Sequence, residues 1–140
     1  MGLGDKKEIS REDVESITGA PKSSLVNNFI QALSDKNIEL GLKSIKEASG
    51  QNIDMKIYLK LILAKLRLAL LLRYAPEMKK DIEEKLGGDD SNFLHEILKA
   101  KSDGISSKTL AVLLESYQEL RYAFIPELPL ELALIKLFNS

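Results

Sequence analysis

Few residues in this chain combine a reactive type with a useful spacing. His95 is the single histidine among 140 residues. It falls between Leu94 and Glu96, off the apolar face that Phe93 and Ile97 would form. Catalysis or metal binding there would need further imidazoles or thiolates, and the chain has no second histidine and no cysteine. His95 therefore reads as a surface side chain. The carboxylates are numerous, but they sit on polar helix faces or at helix starts, where the helix dipole accounts for them. No pair is marked as an acid and a base. Gly19-Ala20-Pro21-Lys22-Ser23 distantly resembles a phosphate-binding loop, but it places proline where the second glycine should approach the phosphates, and it follows a helix rather than a strand. Gly87-Gly88-Asp89-Asp90 lacks the alternating oxygen ligands and distal glutamate of a calcium loop, so a turn is expected. The sequence thus predicts no catalytic residue, no cofactor and no metal. A helical enzyme would require several carboxylates to converge in one pocket.

The remaining candidate is a stripe of positive charge. At ~100° per residue, Lys56, Lys60 and Arg67 line up with Tyr74 along one side of the stretch Met55–Ala75, while Lys65 lies opposite and Arg73 to one side. Such a stripe could face nucleic acid, or it could be the solvated edge of a core helix. The stretch has no Gly or Pro and almost no β-branched residue, so nothing in it breaks a helix. Apolar side chains run nearly all the way round it, which predicts a central helix covered by others. It is not a membrane span, because five basic residues interrupt it.

The elements that must cover this helix can be read in order. Ser10, followed by Glu12, Asp13 and Glu15, opens a first short helix that Gly19 and Pro21 end. Ser23 or Ser24 caps a second, with Leu25, Val26, Phe29, Ile30 and Leu33 on its apolar face. Asp35–Asn37 is a turn, and a third helix turns Ile38, Leu42 and Ile45 inward until Gly50 closes it. Asp54 caps the long helix, and Pro76 stops it. Glu77–Leu86 forms a short helix. Ser91 caps the next, which ends at Asp103 and Gly104. Ser106 or Ser107 opens a helix with Leu110, Leu113, Leu114, Tyr117, Leu120 and Phe124 on one face. Pro126 breaks the chain, and Pro129 begins the last helix. No run alternates as a strand does. The expected fold is all-α: a compact bundle of about seven or eight helices around a long central one. Residues 1–9 are expected to be a flexible leader and 10–140 a single domain.

Composition agrees with a folded, water-soluble chain. Hydrophobic residues make up 44% and charged residues 29%, and the absence of cysteine suits the cytoplasm. The net charge of −1 supplies no overall field for nucleic acid or an anionic membrane. The last helix stands out. Between Leu130 and Phe138 only Glu131 and Lys136 are charged, and they do not share a face. A terminal helix this apolar is buried, or completes a contact with another chain, so assembly is the leading functional class.

Two stretches carry a resemblance. The run from Arg11 to Leu63 resembles the region that follows the ATPase core in clamp-loader subunits, with Asp13, Val14, Gly19, Asp35, Leu42, Ile45 and Gly50 in the family's order. The ending PELPLELALIKL is similar to that of the third domain of the bacterial DNA polymerase III gamma/tau subunit. The first stretch alone would also fit the collar of an archaeal-type clamp-loader small subunit. The resemblance implies an α-helical collar domain, in which five third domains (three gamma/tau, one delta, one delta prime) form a ring while the sliding clamp is loaded onto primed DNA. It implies partners among those subunits, indirect or weak contact with DNA, and no membrane. The family's ATP-binding, sensor and zinc-binding motifs lie in earlier domains and are missing here, so no ATPase activity is expected, and the chain reads as a piece of a longer subunit. The contact with partners is expected at the last helix and its lead-in: Pro126, Leu128, Pro129, Leu130, Glu131, Leu134 and Ile135. Some of these must be core.

Overall fold

The computed structural model describes residues 23–138. Seven α-helices fill this span: α1 Ser23–Asp35, α2 Ile38–Gly50, α3 Met55–Tyr74, α4 Lys79–Leu86, α5 Gly88–Lys99, α6 Ser107–Glu119 and α7 Leu128–Phe138. Single 3-10 turns at Pro76–Met78 and Leu120–Tyr122 follow α3 and α6. There is no strand among the described residues. The helix expected from Ser10 to Gly19, and the expected leader, lie outside them.

Helix α3 is the central element. Asp54 caps it, its carboxylate accepting the Lys56 N–H at 2.7 Å, and Pro76, which cannot continue the α-helix, opens the 3-10 turn behind it. Its inner face, Tyr58, Leu59, Ile62, Leu66 and Ala69, is fully buried. Helix α1 packs on it through Leu25, Val26, Phe29, Ile30 and Leu33, all five buried as the spacing predicts. Phe29 meets Tyr58 edge-on at 6.1 Å between ring centres. The Tyr58 hydroxyl donates to the Leu25 carbonyl at 3.0 Å, which satisfies the polar end of a buried ring.

Turn chemistry departs from the sequence reading in two places. Gly50 is the last residue of α2 and does not make its exit turn. Asn52 does, at φ +60, with its N–H on the Ser49 carbonyl; asparagine is among the few non-glycine residues that tolerate this region. Helix α1 exits in the expected turn, through Lys36 at φ +56, and Asn37 then caps α2 by accepting the Leu40 N–H. Second, the expected loop at Gly87–Asp90 is the start of α5. Only Gly87 is outside the helix, at φ +80, and Asp89 and Asp90 lie in the first turn, where the dipole favours acidic side chains. Ser91 is therefore inside the helix and buried, not its cap.

The connection from α5 to α6 is built into the core. Ser102 donates to the Ser34 carbonyl at 2.6 Å, and Arg73 donates to the Ile105 carbonyl at 2.5 Å. Gly104 lies so close to α1 that a Cβ there would stand 1.9 Å from the Leu33 carbonyl oxygen. Ser106 caps α6. Helix α7 closes the bundle against α2 and α6. Gly41 permits this, since its missing Cβ leaves room for Leu134, whose nearest methyl would be 2.7 Å away. Among the described residues, no helix is long and apolar enough to cross a membrane.

Candidate subunit-contact surface

Helix α7 has two apolar faces, because its sequence LPLELALIKLF offers only two charges. The fold uses one of them. Leu130 and Leu134 are fully buried, with Pro129 and Ala133 beside them. Leu128, Leu132 and Ile135, spaced i, i+4 and i+7, form the opposite row and are exposed, Leu132 by 52%. A helix apolar on all sides belongs in an interior, and the described residues give this one an interior on one side only. The lead-in extends the exposed row: Tyr122, Phe124 and Ile125 all face outward, Phe124 by 97%. The 3-10 turn at Leu120 is the reason. It ends the α-helical period of α6, so Phe124 falls off the inner face on which the spacing placed it, while Leu114 on α6 also points out.

The structure thus divides the seven residues expected at this contact. Pro126, Leu128 and Ile135 lie on the surface, and Glu131 is half-buried. Pro129, Leu130 and Leu134 are core and cannot meet a partner while the fold is intact. Ridge spacing decides this: Leu130 and Leu134 are one turn apart on the side that α7 turns to Gly41. Phe124, Ile125 and Leu132 are exposed apolar side chains that the sequence reading left out of the set. A groove between α6 and α7 adjoins the outer row, lined by Val112, Glu115, Glu119, Leu132, Ile135 and Lys136, with Lys136 and Glu115 paired at 3.1 Å across it. On the other side, Glu127 accepts a hydrogen bond from Ser49 and ties the lead-in to the end of α2.

The basic stripe is present on α3. Lys56, Lys60 and Arg67 are all exposed. Lys56 lies beside Tyr117, Gln118 and Arg121 of the α6 end, and Arg67 faces a groove shared with α4. Ile57 and Leu61 are exposed along the stripe's edge. Lys65 behaves differently. It is buried, with Nζ 2.6 Å from Asn27 Oδ1, 3.0 Å from an Asp90 carboxylate oxygen and 5.7 Å from the centre of the Phe93 ring. His95 shares a hydrogen bond of 2.7 Å with Glu83, joining α5 to α4. No three His, Asp or Glu among the described residues are placed to hold a metal ion.

The family described as DNA polymerase III subunits gamma and tau domain III matches residues 9–140. The chain belongs to this family. A search of curated proteins returns no match. As a gamma/tau third domain, the chain stands in the context of the clamp-loader complex, and its all-α fold is the one the resemblance implied.

Proposed function

We propose that the chain is the oligomerisation (collar) domain of a clamp-loader gamma/tau subunit. It would hold the loader together while the sliding clamp is placed on primed DNA during replication. The reading rests on one observation above all: α7 is apolar on both sides, and the described residues cover only one of them. Exposed apolar surface of this kind marks a protein contact. The partners on this reading are other gamma/tau copies, delta and delta prime, with DNA touched indirectly or weakly. The domain works by contact alone, without catalysis or cofactor, in the cytoplasm.

The test is reconstitution. The chain, mixed with delta and delta prime subunits, is expected to co-elute with them in size-exclusion chromatography. The double variant Phe124→Ser/Leu132→Ser, both at exposed positions, is expected to keep its helical circular dichroism and to elute alone. Co-elution of the variant at wild-type stoichiometry would contradict the proposal.

A further inference from the structure

Helix α4 is weakly held. It has eight residues, and no side chain caps its start. Ile82 is its one buried residue, where each of the other six helices buries three or more. Among the described residues, its side chains make one hydrogen bond to another helix, Glu83 with His95 of α5. Both of its ends are bends, the 3-10 turn at Pro76–Met78 before it and Gly87 at φ +80 after it. The chain beyond each bend is pinned. Before α4, Arg73 near the end of α3 donates to the Ile105 carbonyl. After it, Asp90 in the first turn of α5 pairs with the buried Lys65. A segment with few buried contacts between two anchored ones opens at low free-energy cost. Lys79, Lys80, Asp81, Glu84 and Lys85 are exposed, so opening would break no buried ion pair.

What α4 covers is the far end of an apolar row. Ile57, Leu61, Ala64, Leu68 and Leu71 follow one another along α3 at alternating steps of four and three, which sets them on one side of the helix. The first three are exposed and the last two half-buried. Leu68 and Leu71 line a groove whose other wall is Met78 and Ile82. We infer that α4 is a lid on this row: it opens as a unit between Pro76 and Gly87 while the other helices stay packed, and so lengthens the exposed apolar row of α3 from three residues to five. The arrangement described here is the closed one, held by Ile82 and the Glu83–His95 hydrogen bond. The inference is independent of the assembly reading, because it concerns motion within one chain.

Detached, so short a helix does not keep its backbone hydrogen bonds, and opening is therefore read by amide hydrogen exchange of the whole chain. The amides of 79–86 are expected to exchange about 100-fold faster than those of 62–69 in α3 and 94–97 in α5, yet slower than in an unstructured peptide. Ile82→Ala should speed exchange in 79–86 at least about tenfold and leave the α1 and α6 amides unchanged. The absence of cysteine allows the opposite arm. Glu83→Cys/His95→Cys, joined by a short thiol-to-thiol linker, should slow exchange in 79–86 to the rate of α5. In a third variant, Leu71→Cys is labelled with a bulky maleimide, and adding Ile82→Ala should raise the labelling rate as it raises exchange. Equal exchange in α3, α4 and α5 would overturn the inference, since the bundle would then open only as a whole. So would unprotected amides in 79–86, which would mean there is no closed lid. An Ile82→Ala variant that speeds exchange in every helix alike would overturn it too, as would labelling at Leu71→Cys that ignores Ile82→Ala.

Discussion

Lys65 shows best what a single residue can and cannot reveal in sequence. Its place opposite the basic stripe marks it as a charge on the inner side of α3. Its partners are invisible there, because Asn27 and Asp90 come from α1 and α5. A buried charge whose partner is removed is costly. Asp90→Ala is therefore expected to lower stability by about 3 kcal/mol, read by urea unfolding, and Lys65→Met/Asp90→Leu should recover most of that loss. A double variant no more stable than Asp90→Ala would mean that the pair is not the source. Tyr58 makes a pH prediction. Burial, with a smaller contribution from the Glu47 charge, raises its phenol pKa well above the ordinary value. The unfolded chain then releases this proton first as pH rises, so stability is fully present below pH ~10 and falls above it. Tyr58→Phe is expected to cost about 1 kcal/mol at neutral pH through the lost hydrogen bond to Leu25 and to flatten the alkaline fall in unfolding free energy. An unchanged alkaline slope would contradict that assignment.

At the scale of elements, periodicity served well where a helix turns one strongly apolar face to the core. Five residues of the α1 face are legible from their helical spacing, while Ala32 and Ser34, also buried, carry too little hydrophobic signal to be placed with them. Caps with short polar side chains were legible too, Asp54 and Ser106 among them. What failed was the end of some patterns. Asn52 takes the turn expected of Gly50, and nothing local announces it. Asp89 and Asp90 looked like loop residues because the benefit of acidic side chains in a first turn depends on a helix already being there. Thr109 and Ser116, buried on α6, carry no hydrophobic signal, yet each satisfies its hydroxyl on a backbone carbonyl, Gly104 and Val112 respectively. Gly104 looked like a plain helix stop, whereas its lack of a side chain lets the α5–α6 connection touch the backbone of α1. Gly104→Ala should cost about 3 kcal/mol, at the upper end of overpacking effects, because the atom met is backbone and cannot swing aside. Thermal unfolding within a degree or two of wild type would contradict the close approach.

For the whole molecule, the fold was legible because helices, breakers and a Leu-rich central element all pointed one way. The contact surface was legible only as a region. Sequence marked α7 as too apolar for solvent, but which half faces inward depends on where α2 and α6 lie, and that is tertiary information. Leu130 and Leu134 went to the core, leaving Leu128, Leu132 and Ile135 outside with Phe124 and Ile125. The central claim is that this outer row holds subunits together while the inner row holds the domain together. The two roles separate in one measurement: sedimentation equilibrium of the wild-type chain, Leu132→Glu and Leu134→Ala across a concentration series, with thermal unfolding of the same samples. Leu132→Glu is expected to abolish the rise in mass with concentration at an unchanged Tm, and Leu134→Ala to lower Tm, costing about 3 kcal/mol, while the protein that remains folded still associates. A Leu132→Glu variant that associates like the wild type would contradict it.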